Sequence, residues 1–158
     1  MSSNDDRGSV NPDADRGAVN PDDDELRRIY GDTKTIAVVG ASHKEFRPAH
    51  TIPAYLQRQG YRIVPVNPRG GELFGEPVVP SLREVDVPVD VVDVFRPSAQ
   101  TPEVARDAVA IGAKVLWLQE GIRNEEAAAI AKAGGLTVVM DLCMGETHKR
   151  LRRHRRHE

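Results

Sequence analysis

Five short apolar runs punctuate this chain, and the stretches between them carry apolar residues at the three- and four-residue steps of helices. The first run, Thr35-Ile-Ala-Val-Val39, reads as a buried parallel strand, because β-branched residues fill it without polar alternation. It runs into Gly40-Ala41-Ser42, a turn of small residues. Ala49, Ile52 and Leu56 then share one face of a helix expected over 48–59 and stopped at Gly60. Pro53 removes a ladder bond from that helix, so it lies in the first turn or bends it. The other strands are expected at 62–66, 89–95, 114–118 and 136–140. Helices precede the last two. One has Thr101 as cap, Pro102 at its first position and Gly112 past its end; the other runs from Asn124 to Gly134-Gly135. Ser81 caps a short turn through Val85. A lead-in helix over 26–30 follows the acidic run Asp22-Asp23-Asp24-Glu25.

Strands alternating with helices give an α/β fold, a doubly wound five-stranded parallel sheet. Right-handed crossovers with one reversal of winding give the strand order 3-2-1-4-5, with the reversal between the first and fourth strands. Ligands of such sheets bind beyond the carboxyl ends of the strands at that reversal. Four segments are expected there: Gly40-Ala41-Ser42, Asn67-Pro68, Phe95-Arg96-Pro97 and Gln119-Glu120-Gly121.

The 158 residues suit one domain with tails. Residues 1–25 hold eight acids and two arginines, and a near-repeat, Asp6-Arg-Gly-Ser-Val-Asn-Pro-Asp13 returning as Asp15-Arg-Gly-Ala-Val-Asn-Pro-Asp22. Almost nothing in it is apolar, so a disordered acidic tail is expected. Residues 148–158 form a basic tail with six Lys or Arg and one Glu, which leaves 26–147 as the binding domain. The net charge of −2 thus conceals charge gathered in the tails. No apolar run approaches a bilayer's span, no signal peptide is read, and a single cysteine rules out an intrachain disulfide, so a cytoplasmic location is expected.

A dinucleotide is the first candidate for the crevice. The turn lacks the second and third glycines of G-x-G-x-x-G, and the second strand ends Val66-Asn67 without an acid for ribose hydroxyls. Lys44, Arg47, Arg62 and Arg69 lie in or near the segments facing the mouth. A basic mouth suits a nucleotide with an extra ribose phosphate, and both NADP and coenzyme A qualify.

Gly40-Ala41-Ser42 with Lys44, Arg47 and Pro48, together with Val66-Asn67-Pro68, Asp90-Val-Val-Asp-Val-Phe-Arg96, Leu116-Trp-Leu-Gln119 with Gly121, and Val138-Val-Met-Asp-x-Cys143, resembles the small CoA-binding proteins of bacteria and archaea. Their Rossmann-like domain is similar to the N-terminal domain of the succinyl-CoA synthetase α subunit. The resemblance implies coenzyme A bound by its ADP half. The diphosphate would meet the N–H groups of Gly40, Ala41 and Ser42 and the Ser42 hydroxyl. Arg62 would stand where the ligase has a lysine near the start of its second strand. Val94, Phe95 and Arg96 would occupy the loop that contacts CoA, Asn67 and Pro68 would flank the adenosine, and pantetheine would run toward Gln119 and Gly121. No histidine (His43, His50, His148, His154 or His157) falls in the ligase's phosphohistidine motif. A non-catalytic module that binds or senses CoA or an acyl-CoA is therefore expected.

Two alternatives stand beside it: an NADP-dependent oxidoreductase, and a redox protein in which Cys143 pairs with the CoA thiol. Acids near Cys143 would raise its pKa and work against the second. Asp93, set among valines, reads as a buried structural carboxylate. Arginines around His148, His154 and His157 repel a cation, so no metal site is expected. The basic tail lacks interleaved aromatics, which disfavours nucleic acid as a partner, and no membrane association is expected.

Overall fold

The computed structural model describes residues 20–157, and most of the acidic near-repeat lies outside them. Helix α1 (Asp23–Asp32) leads into β1 (Thr35–Val39), α2 (Pro48–Arg58) and β2 (Arg62–Val66). A small hairpin follows, β3 (Glu72–Leu73) with β4 (Glu76–Pro77). Then come β5 (Val91–Val94), α3 (Thr101–Ala110), β6 (Val115–Leu118), α4 (Glu125–Ala133), β7 (Thr137–Val139) and α5 (Met144–His157).

Alternation along the strands builds two cores. Ala37, Val39, Val92, Val94, Leu116 and Leu118 face α3 and α4. Ile36, Val38, Val91, Val115 and Trp117 face α1, α2 and α5. Each fully buried aliphatic side chain contributes roughly 1.5–3 kcal/mol. Ala105, Ala108, Ala127 and Ala131 let α3 and α4 approach each other and the sheet closely. On the other face the Trp117 indole N–H donates to Leu142 O at 2.9 Å and the Tyr30 hydroxyl to Met144 O at 2.6 Å, which fixes the start of α5 over the sheet.

The α/β doubly wound parallel sheet is as expected, but its order is β2-β1-β5-β6-β7, that is 2-1-3-4-5 and not 3-2-1-4-5. The outer edge of β2, assigned from sequence to the third strand, holds a single bridging residue, Val79. Pro77 and Pro80 flank Val78-Val79 and stop the bridge at Val79 growing into a strand. The chain then crosses by a 3-10 turn, Leu82–Glu84, and enters on the far side of β1, pairing Ile36 with Val91. Pro65 gives the physical reason. Its carbonyl accepts from Val79 N–H on the outer side, and its ring nitrogen, which has no hydrogen to donate, faces the same way. An interior β2 would lose a ladder bond there, whereas an edge strand does not.

Capping differs in detail. Asp22 accepts from Glu25 N–H at 2.9 Å, so α1 begins three residues before the expected start. Asn124 caps α4 through Ala127 N–H at 2.8 Å. Thr101 does not cap α3; its hydroxyl donates to Ser98 O, within a preceding 3-10 turn. Ser81 donates to the Glu84 carboxylate and caps no backbone N–H. The basic C-terminal segment is helical in α5, and Arg150 makes two bonds, 2.9 and 3.1 Å, to Asp23 of α1. Among the described residues no helix is long and apolar enough to cross a membrane.

Candidate functional site

The reversal of winding lies between β1 and β5, and there the chain is pinched. Gly40 adopts φ +90° and donates its N–H to Val66 O at 2.9 Å. A Cβ on it would lie 2.7 Å from Phe95 O and 3.4 Å from Arg96 Cδ. Phe95 is itself held, its N–H donating to Val39 O at 2.8 Å. The loops after β1, β2 and β5 therefore converge as expected. Asn67 ties two of them: its Nδ2 donates to Ala41 O at 2.6 Å while its Oδ1 accepts from Arg69 N–H at 2.8 Å.

The donor set of the turn is smaller than the resemblance implies. Gly40 N–H is spent on Val66, and Ser42 N–H donates to Ala49 O at 3.2 Å. The amide of Ala41 has no partner among the described residues. Ser42 Oγ accepts from Lys44 N–H at 3.0 Å and keeps its own hydrogen to donate. In the first turn of α2 one amide, Ala49 N–H, has no acceptor among the described residues, since Arg47 makes no side-chain cap bond, Pro48 has no N–H and His50 N–H donates to Arg47 O at 2.8 Å. His50 Nδ1 bonds Ser42 O at 2.7 Å, and its ring leans on Phe74.

Pro53 explains why Ala49 O is available. A residue at 53 would ordinarily donate its N–H to the carbonyl four residues back, and that carbonyl belongs to Ala49. The proline leaves it free, and Ser42 takes it. Replacing Pro53 by Ala is expected to raise the melting temperature, because a helix-interior proline is costly. It should also speed hydrogen exchange at Ser42 N–H by competing for its acceptor. Amide exchange followed by NMR checks this; an unchanged Ser42 rate alongside a stabilised helix would disprove the link.

A crevice of about 590 Å³ opens beside the pinch, lined by Val39, Val66, Pro68, Leu82, Arg96 and Gln100 among others. Of the residues expected from sequence, Pro68 and Arg96 line it. Lys44, Arg47, Arg69 and Arg96 belong to the converging loops, and none has a carboxylate partner among the described residues.

Four expected site residues lie elsewhere or are already committed. Arg62 opens β2 at the amino edge of the sheet, about 13 Å along the strand from Val66. Parallel strands send their first and last residues to opposite edges, so Arg62 is not at the mouth. Val94 is fully buried in the core. Gln119 is 3% exposed and donates to Asp93 Oδ1 at 2.5 Å, on the face of the sheet that Trp117 shares and not in the crevice. Gly121 N–H donates to Asp141 Oδ1 at 2.6 Å. Sequence reasoning missed the Asp93–Gln119 pair and the crevice-lining Leu82 and Gln100. Only the paired register of β5 and β6, which sets Asp93 beside Trp117, brings Gln119 to Asp93.

Asp93 is fully buried, its Oδ2 has no partner among the described residues, and burial pushes its pKa up to about 7, opposed by the bond from Gln119. Cys143 lies just ahead of α5, where its Sγ accepts from Glu146 N–H at 3.4 Å. It lines a separate cavity of about 450 Å³ with Glu120, Asp141, Glu146 and Arg150. Burial pushes its pKa up, so the thiol stays protonated and is a poor nucleophile.

A family model described as a CoA binding domain matches residues 34–149. The uncharacterized protein YneT of Bacillus subtilis is 44% identical over 124 residues, covering 78% of this chain and 92% of that protein. The structure of cell-free ID.343 from Thermus thermophilus superposes with TM-score 0.80 at 47% identity, covering 83% of this chain and 99% of the other. The apo dinucleotide-forming acetyl-coenzyme A synthetase 1 of Ca. Korarchaeum cryptofilum gives TM-score 0.61 at 27% identity, covering 72% of this chain but 27% of the synthetase.

Proposed function

Because the chain belongs to the CoA binding domain family, we propose that it binds coenzyme A or an acyl-CoA through the ADP half, and binds or senses that ligand without transforming it. The observation that carries this reading is the Gly40 pinch, where the loops after β1, β2 and β5 meet beside a crevice lined by Arg96 among the described residues, with Glu103, Asp107 and Glu126 also on its wall. Coenzyme A brings a diphosphate and a ribose phosphate, and Lys44, Arg47, Arg69 and Arg96, which have no carboxylate partner among the described residues, with the open amides of Ala41 and Ala49, answer that charge. Val39, Val66, Pro68 and Leu82 offer the apolar wall that a flat base needs. His148 of α5 is committed away from the crevice, bonded to the Tyr55 hydroxyl and packed against Tyr30, Tyr55 and Tyr61, which supports a binding role.

Calorimetric titration tests this. CoA is expected to bind and NADP to fail, and Arg96→Ala should weaken CoA by roughly ten- to a hundredfold, the loss of a charge-assisted bond. Acetyl-CoA incubated with the protein should be recovered intact by chromatography. Binding of NADP without CoA would overturn the ligand; consumption of acetyl-CoA would overturn the passive role.

A further inference from the structure

On the opposite edge of the sheet from the crevice, α1, the start of β2 and α5 line a further cavity of about 160 Å³. Arg27, Tyr30, Gly31, Tyr61, His148 and Arg152 form its walls and rim, over Leu151. Gly31 precedes β1 and Tyr61 precedes β2, so the cavity lies at the amino edge, at least about 13 Å along the strands from the Gly40 turn.

We infer that this cavity is a second binding site, for a small planar carboxylate of single-ring size. Its walls are ring surfaces. The Tyr30 hydroxyl is spent on Met144 O and the Tyr61 hydroxyl on Tyr30 O at 3.1 Å. His148 stands edge-on to both rings, with centroids 5.2 and 5.9 Å away, and its Nδ1 bonds the Tyr55 hydroxyl at 2.8 Å. Its Nε2 has no partner among the described residues. Burial and Arg152 lower the imidazole's pKa, so at neutral pH the charge here belongs to the guanidinium groups. Among the described residues Arg152 is bonded only to a neutral amide, Gln59 Oε1 at 2.7 Å, and Arg27 meets Asp24 in a long, exposed contact of 3.4 Å. Aromatic walls with incompletely neutralised guanidinium groups at the rim fit an apolar ring carrying one negative charge.

Gly31 is the independent sign. It lies inside α1 with ordinary helical φ, and a Cβ on it would meet nothing within 4 Å. Neither backbone conformation nor packing calls for glycine here, and glycine weakens a helix. What the missing side chain does is leave the space beside Arg27, Tyr30 and Tyr61 open.

The experiment titrates the full chain with benzoate, and with acetate and benzamide as probes lacking the ring or the charge. Benzoate should bind at one site, with Tyr30 and Tyr61 ring signals shifting by NMR, and the other two should bind at least about tenfold more weakly. Gly31→Leu should keep or raise the melting temperature while abolishing benzoate binding, and Arg152→Gln should weaken it about tenfold. Benzamide binding as well as benzoate, or benzoate binding unchanged in both variants, would overturn the inference. So would absence of saturable binding, or self-association lost in the same variants, which would make the cavity a seam between copies. CoA titration of the Gly31→Leu protein should be unchanged, so failure here leaves the CoA reading untouched.

Discussion

Gly40→Ala is expected to destabilise the protein by roughly 2–4 kcal/mol and to reduce CoA affinity at least about tenfold at temperatures where the variant stays folded. Two effects add. The left-handed φ of +90° strains any L side chain, at about 1–2 kcal/mol. The new methyl would also sit 2.7 Å from Phe95 O, closer than a Cβ can approach. That oxygen belongs to backbone and cannot swing away as a side chain would. Gly40 is tied to Val66 and Phe95 to Val39, so relief in either direction breaks a hydrogen bond at the sheet's carboxyl edge. Gly70→Ala is the control. Its φ is +74° but nothing lies within 4 Å of the added Cβ, so it carries the strain without the collision. Urea unfolding of both variants, with CoA titration, separates the two. Equal losses at Gly40 and Gly70 would show that the close approach of the β1 and β5 loops has no energetic weight.

The second large effect is pH-dependent and belongs to Asp93. Burial raises its pKa from an ordinary 3.8 to about 7, and Gln119 offsets this only in part. Between those values the folded protein holds a proton that the unfolded chain has released. Stability from this group is therefore full below about pH 4, drains as pH rises to about 7, and is flat above. Asp93→Asn removes the titration but leaves an amide N–H where Oδ2 had no partner, which costs about 1–3 kcal/mol at low pH. From pH 5 to pH 8 the stability difference should move in favour of the Asn protein by about 3 kcal/mol, two pH units at about 1.4 kcal/mol each. Denaturant melts of both proteins at the two pH values measure it. A difference independent of pH would mean that Asp93 is ionised in the fold, with a partner for Oδ2.

Much of the fold was legible because periodicity and turn residues act locally. The alternation of 35–39 already divides Ile36 and Val38 from Ala37 and Val39, and the structure sends them to opposite cores. The strand order was misread although Pro65 held the clue: a strand with a proline at its centre belongs at an edge. The cations of the β1–α2 loop, with Pro68 and Arg96, were legible as residue types at the carboxyl ends of strands. Arg62 was misplaced because its charge was weighed without the direction of its strand. Gln119 was misassigned because nothing in one sequence shows that Asp93 awaits a donor from the neighbouring strand.

The sequence by itself determined the alternation of strand and helix, the small-residue turn at Gly40, and the family to which the chain belongs, since each is written in residues close along the chain. Tertiary structure alone decided the strand order, which amides remain free, and which charges lack partners. Those depend on contacts between residues far apart: Gly40 against Phe95, Asn67 against Ala41, Gln119 against Asp93. Hydrogen-bonding capacity is finite, and a donor spent across such a contact is no longer offered to a ligand.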